Sequence, residues 1–306
     1  MRVAIMGSGG VGGYVGGRLA AAGEEVAFIA RGAHLQAMQT HGLRIESALG
    51  DATIRSLEAS DDPAAIGPAD LVIFAVKLYD TEAAAEACRP LLGPQTGVLT
   101  LQNGVESSEV LARVLGARHV IGGVAQIATV IAAPGVIRHT GTMCRLQLGE
   151  LDGQLSPRVA GLSAALERAG LQHQVSADIQ RDIWAKMVFL APMSGMTSLM
   201  RLPIGPIRED PETRAMLHAA IAEAVAMAGA KGADLGGGVT LQRMAFIDGL
   251  PYEMRSSMLE DLERGRPLEL PWLSGAIARM GKELGIATPV HTFITTTLKL
   301  HVGGRA

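Results

Sequence analysis

The sequence predicts an α/β protein in two parts: a doubly wound parallel sheet over residues 1–176, then an all-helical domain over residues 177–306. Three observations predict it. Short apolar runs alternate with helix-like or loop segments through the first half. A glycine-rich turn, G-x-G-x-x-G, closes the first of those runs. After about Val175 the pattern turns to helix throughout.

Val3 to Met6 form an apolar run with the length of a buried parallel strand. The motif glycines Gly7, Gly9 and Gly12 follow, and a helix is expected from about Val11 to Ala22, ended by Gly23. The next strand runs from Glu25 to Ala30. One glycine allows the tight turn, one lets backbone N–H groups approach a pyrophosphate, and one lets the helix pack close to the strand. The helix N-terminus adds unpaired N–H donors and a positive dipole. This strand–turn–helix–strand order makes Gly7, Ser8, Gly9, Gly10, Val11 and Gly12 a dinucleotide cradle of the Rossmann type. An NAD-preferring site has Asp or Glu at the end of the second strand, whereas this chain has Ala30-Arg31-Gly32. The planar donor fork of Arg31 suits a 2′-phosphate, so the expected cofactor is NADP(H); an ordinary surface arginine is the alternative.

Further strands are expected at Leu43–Ser47, Ala52–Leu57, Leu71–Val76, Val98–Leu101 and His119–Val124. The runs Gln126–Ile131, Val136–His139 and Arg145–Gly149, separated by Pro134-Gly135 and Gly141, read as a meander at the sheet edge. In the second half, one helix starts near Asp178 and another carries Met216, Leu217, Ala220, Ile221, Ala224, Val225 and Ala228 at helical spacing. Others are expected over Pro251–Glu263 and Leu273–Leu284, and Thr288-Pro289 reads as an N-cap followed by a first-turn proline.

Composition narrows the function classes. The 27 basic and 30 acidic residues give a net charge of -3, which points to neither a nucleic-acid partner nor an anionic membrane surface. No apolar run reaches the ~18 residues that span a bilayer. Two cysteines, Cys88 and Cys144, are too few for a disulfide framework, and a reducing cytoplasm fits. The eight histidines show no metal-site spacing, and there is no G-x-S-x-G elbow. The oligomeric state stays open, a homodimer included.

Lys186 is the sharpest candidate of the helical half. At ~100° per residue it falls on the same stripe as Ile179 and Ile183, and Leu190 continues that stripe. A lysine in an apolar stripe is partly desolvated, which lowers its pKa and suits it to donate a proton near neutral pH. The alternative is a lysine whose stem packs while its head reaches water. Asn103 and Lys77 each follow a predicted strand, where open α/β sheets bind ligands; Asn103-Gly104 is equally an ordinary turn dipeptide. Ser257 and Glu269 flank a charged stretch, and taken alone Glu269 reads as a surface carboxylate. Met193, Met196 and Met200 read as core.

Together these residues resemble the ketopantoate reductase family. The resemblance runs through GSGGVG, Ala30-Arg31, Val76-Lys77, Gln102-Asn103-Gly104, Ile183-Trp184-Ala185-Lys186, Ser256-Ser257-Met258, Leu268-Glu269-Leu270 and Gly285-Ile286-Ala287-Thr288-Pro289, and so covers essentially the whole chain. It implies reduction of a 2-keto acid, 2-dehydropantoate in that family, by NADPH in a cleft between the domains. It implies that Lys186 protonates the ketone oxygen and that Glu269 holds the substrate hydroxyl. Ser257 and Asn103 match substrate-contacting positions, and Arg31 and Lys77 match cofactor-side positions, with Arg31 on the 2′-phosphate. The family commonly has Asn four and eight residues after the lysine; here Leu190 and Ser194 stand there. Pro271 and Ser274 likewise replace a common Asp and Asn. The substrate pocket is therefore expected to be less polar, which leaves two alternatives: a different 2-keto acid, or a non-catalytic NADP-binding regulator.

Overall fold

The computed structural model describes residues 1–305 and packs as two compact units, Met1–Asp182 and the chain from Ile183 onward. The first unit runs β1 (Arg2–Met6), α1 (Gly10–Ala21), β2 (Glu25–Ile29), α2 (Gly32–His41), β3 (Leu43–Ser47), β4 (Ala52–Ile54), β5 (Glu58–Ser60), α3 (Pro63–Ile66), β6 (Ala69–Phe74) and α4 (Thr81–Ala87). It continues with β7 (Leu92–Thr100), α5 (Ser107–Leu115), β8 (Val120–Ala133), β9 (Val136–Glu150), α6 (Pro157–Arg168) and β10 (Gln172–Val175). The ten strands form one sheet in the order β4-β3-β9-β8-β7-β6-β1-β2-β5, with β10 paired to β9. From β8 to β5 every ladder is parallel.

Alternation along the central strands explains why both faces are covered. Val3, Ile5, Phe28, Leu71 and Ile73 face one core with Tyr14, Val15 and Leu19 of α1. Ala4, Met6, Ala27, Ile29, Val72 and Phe74 face the other with Ala84 and Ala85 of α4 and Leu111 of α5. Successive strand side chains point to opposite faces, so a doubly covered sheet needs apolar residues at every position, as these runs have.

The sequence expectation fails at three places in this unit and the next. The three runs between Gln126 and Gly149 are not an edge meander; with the strand expected at His119–Val124 they form one long antiparallel hairpin, β8 and β9, inside the sheet. Gly135, at φ 75°, makes the hairpin turn. Gly141, at φ 76°, only loops residues out of β9, so that Thr129 faces His139 while Ile127 faces Cys144. The length of β9 lets β3 pair with its first part and β10 with its last. The expected strand Ala52–Leu57 stops at Ile54; the chain then crosses to the opposite edge, where Glu58–Ser60 pairs with β2.

The second unit is helical: α7 (Ile179–Met200, whose first turn belongs to the sheet unit), α8 (Ile204–Glu209), α9 (Pro211–Ala230), α10 (Val239–Asp248), α11 (Ser257–Glu263), α12 (Ser274–Leu284) and α13 (Pro289–Leu298). Met193 and Met196 are buried, as are Leu217, Ile221 and Ala224 of α9. The helix expected from Pro251 begins only at Ser257, because the carbonyls of Tyr252 and Met254 accept from Gly205 and Ile204 at the start of α8 instead of continuing a helix. Among the described residues no helix is long and apolar enough to cross a membrane.

Thr288 occupies the N-cap position of α13, but its side chain makes no cap bond. The cap comes from α9: the buried Glu223 carboxylate accepts from Val290 N at 2.8 Å and His291 N at 3.0 Å. His291 is fully buried, its Nε2 lies 3.0 Å from the Ala220 carbonyl, and its Nδ1 has no partner. Burial pushes its pKa down to about 4, against a weaker upward pull from Ala220. A histidine with a depressed folded pKa takes its proton in the unfolded chain first. Its contribution to stability is therefore full above pH 6.5 and drains as the pH falls toward 4. Between pH 7 and 5 the loss from this one group is about 2 kcal/mol. His291→Gln, which keeps a donor for Ala220, should remove that part of the slope in urea denaturation at the two pH values; an unchanged slope would contradict the assignment.

Candidate active site

The glycine turn is built by three different constraints. Gly7 sits at φ 96°, and a Cβ there would lie 2.8 Å from both Val76 N and Val76 Cγ1. A Cβ on Gly12 would lie 2.2 Å from the Gly7 carbonyl, and one on Gly10 would lie 2.5 Å from the Thr129 carbonyl of β8. Gly9, the N-cap of α1, is the exception: nothing lies within 4 Å of its Cβ position. Three glycines therefore admit protein backbone, while Gly9 leaves the helix N-terminus open to a ligand. Val11 is half-buried beside the core.

Two side chains that the sequence reading missed hold this region. His34 of α2 bridges the glycine turn to the β8–β9 turn: its Nε2 is 3.0 Å from the Ser8 carbonyl, and Gly135 N donates to its Nδ1 at 3.0 Å. Those partners require the neutral ring with the proton on Nε2. Burial lowers its pKa, opposed by the Ser8 carbonyl. Ser8 is also tied through its N–H to Ile29 at 3.0 Å. Gln102 is buried after β7, and its Nε2 donates to the Val76 carbonyl at 3.0 Å and to Thr81 Oγ1 at 2.8 Å. That joins the segment after β7 to the segment after β6. His34 lies in no motif and Gln102 stands in the Gln102-Asn103-Gly104 segment with no role of its own to read there, because each acts through bonds between distant loops.

Asn103, half-buried, and Lys77, exposed, follow β7 and β6 on these tied segments. With the glycine turn they occupy the carboxyl ends of three neighbouring parallel strands. Arg31 is exposed at the N-cap of α2, just beyond β2. The acidic residues nearest in sequence are engaged elsewhere: Glu24 with the Met1 amino group at 3.0 Å, and Glu25 with Arg2.

In the helical unit, Lys186 lies one turn after the buried Ile183 and is itself half-buried. Burial pushes its pKa down to about 8, while the negative charge of Glu269 pulls upward. Glu269 is not the surface carboxylate that its charged neighbourhood suggested. It is 7% exposed, set between the fully buried Leu268 and Leu270 at the start of a tight turn. A lysine of this pKa beside a carboxylate can deliver a proton at neutral pH and hold developing negative charge.

The remaining candidates are placed differently. Leu190 is half-buried one turn beyond Lys186. Ser194 is fully buried with no partner for its Oγ. Ser274 is also fully buried and unpartnered, and its Oγ lies 2.8 Å from where a Gly195 Cβ would be. Ser257 is exposed at the first turn of α11; the neighbouring Ser256 is the structural hydroxyl, capping Leu259 N at 3.1 Å and pairing with Thr197 Oγ1 of α7 at 2.7 Å. Among the described residues no group of three or more His, Cys, Asp or Glu side chains is arranged to hold a metal ion.

A family model described as ketopantoate reductase PanE/ApbA matches residues 3–153, and one described as its C-terminal part matches residues 178–302. The chain is 33% identical to a 2-dehydropantoate 2-reductase of Mesorhizobium japonicum, over 94% of each chain. It is 32% identical to one of Halobacterium salinarum, over 98% of each. A crystal structure of a PanE/ApbA family ketopantoate reductase from Ralstonia eutropha superposes with a TM-score of 0.91 at 36% identity, covering 98% of each chain.

The His34 bridge makes a prediction independent of any activity. His34→Leu should speed amide hydrogen exchange over residues 7–12, whereas His34→Gln, whose amide can donate to Ser8 and accept from Gly135, should leave it near wild type. Equal exchange in all three proteins would remove the bridging role.

Proposed function

The chain belongs to the ketopantoate reductase family and is an oxidoreductase, and on that premise we propose that it reduces a 2-keto acid to the 2-hydroxy acid with NADPH, 2-dehydropantoate being the substrate. The observation that carries the reading is the half-buried Lys186, desolvated and opposed by Glu269 so that its pKa is about 8. The open helix N-terminus at Gly9 fits a pyrophosphate, and the exposed Arg31 fits a 2′-phosphate. When bound, the nicotinamide supplies the hydride for C2 of the ketone.

The residues of the chain do the rest. Lys186 donates its proton to the ketone oxygen as charge develops there, and its cation stabilises the alkoxide before transfer is complete. Glu269 favours the protonated form of Lys186 and accepts from the hydroxyl that the substrate already carries. Asn103 and Ser257 orient the acid, and Lys77 lies on the cofactor side. The activity belongs to a reducing cytoplasm, where the buried free thiols of Cys88 and Cys144 stay reduced.

One observation favours a second reading, the same chemistry on a different 2-keto acid. Leu190 and the unpartnered Ser194 offer an alkyl group and one hydroxyl along the face that continues from Lys186. Oxidation of NADPH and of NADH with 2-dehydropantoate and a panel of 2-keto acids separates the two. Fast turnover of 2-dehydropantoate supports the first reading, turnover of another acid alone supports the second, and no turnover on any acid leaves a nucleotide-binding regulator.

Lys186→Ala should lower kcat roughly 10²- to 10⁴-fold with NADPH affinity retained. Wild-type kcat should fall as the pH rises through about 8, where Lys186 loses its proton. Glu269→Gln removes the upward pull and should move that alkaline limb to lower pH. Arg31→Ala should raise KM for NADPH roughly tenfold or more while sparing NADH. A pH profile identical in wild type and Glu269→Gln would contradict the coupling.

A further inference from the structure

Arg243, on α10, is a half-buried cation of the helical unit that the mechanism does not use. Arg214, Arg255, Arg264, Arg266 and Arg279 of that unit all pair with carboxylates, and Arg208 donates to the Ile247 and Leu250 carbonyls. Arg243 is half-buried in the middle of its helix, and its Nε is buried with no hydrogen-bond partner. Burial is the one influence that lowers its pKa; no carboxylate opposes it. A half-buried guanidinium without a counter-ion is stabilised by any anion that comes beside it, because desolvating a charge without a partner is unfavourable.

Its place in the unit says which anion. Phe246, three residues along the same helix face, meets Phe189 of α7 edge-on, with ring centroids 5.1 Å apart. Phe189 in turn lies three residues from Lys186. Side chains three apart on a helix are neighbours, about 5–6 Å between Cβ atoms, so Arg243 and Lys186 each stand one turn from this ring pair. Leu190 and Ser194 offer no amide donors, so beyond Lys186, whose proton goes to the ketone oxygen, the α7 face that they continue has no amide to grip a carboxylate.

We propose that Arg243 binds a carboxylate of the 2-keto acid through its guanidinium fork and is a specificity determinant of the site. This rests on the reductase reading for the identity of the acid, though not for the presence of the anion site. The carboxylate is either the one beside the ketone or a second one further along the substrate.

The test compares wild type, Arg243→Met and Arg243→Lys on 2-dehydropantoate, on its uncharged lactone, a cyclic ester, and on 2-oxoglutarate. KM and kcat are measured with NADPH, and calorimetric affinity for both acids is measured in the presence of NADP⁺. Arg243→Met should raise KM for an acid tenfold or more, with kcat little changed and the ester unaffected. Arg243→Lys should fall between, since it keeps the charge and loses the fork. A loss confined to 2-oxoglutarate assigns the distal carboxylate; a loss on both acids assigns the one beside the ketone. Because the substitution removes an unpaired cation, Arg243→Met should melt no lower than wild type without ligand; a lower melting temperature would make the residue structural and overturn the inference. Binding that depends on Arg243 without turnover keeps the anion site and sinks the reductase reading. Turnover with unchanged KM and affinity in Arg243→Met sinks the anion site and keeps the reading. No binding of either acid to wild type sinks the anion site.

Discussion

The proposed reaction depends on a charge held where water is scarce. Burial alone would strip Lys186 of its proton, and Glu269 alone would hold the proton too firmly; together they leave the lysine near pH 8. That balance depends on the helical unit keeping both groups in place. Buried residues on α7 and the leucines flanking Glu269 supply the low-dielectric surroundings. A small change in burial therefore moves the titration of Lys186, and under the proposed mechanism the working pH moves with it.

The sheet unit solves a different problem, the close approach of backbone to backbone. Its parallel strands deliver the Gly7, Lys77 and Asn103 segments to one end of the sheet, but loops do not hold themselves. Ser8 is fixed through both its N–H and its carbonyl, by Ile29 and His34, and Gln102 ties the loop after β7 to the one after β6. The β8–β9 hairpin adds the last constraint, passing so close to Gly10 that no side chain fits there.

Much of the architecture was legible because it is local. The glycine turn announces itself through backbone demands that only glycine meets, and the stripe around Lys186 follows from helical spacing alone. What was not legible is tertiary. Glu269 sits in a charged run and reads as exposed; its burial comes from Leu268 and Leu270 packing into a unit whose assembly no short window reveals. Gly141 reads as a turn, yet it loops out a few residues within a strand that both β3 and β10 need. Ser256 and Ser257 are adjacent hydroxyls, and only the meeting of α11 with α7 shows that Ser256 is the cap. Thr288 has the pattern of an N-cap, but a carboxylate from another helix does that work.

The most direct test of the account is the titration of Lys186 itself, by NMR of protein labelled at the lysine side chains, with Lys186→Arg to assign the signal. The account predicts a pKa near 8 that drops in Glu269→Gln. A value near 10.5, insensitive to Glu269, would mean that the lysine is hydrated and uncoupled, and the proposed proton donor would lose its physical basis.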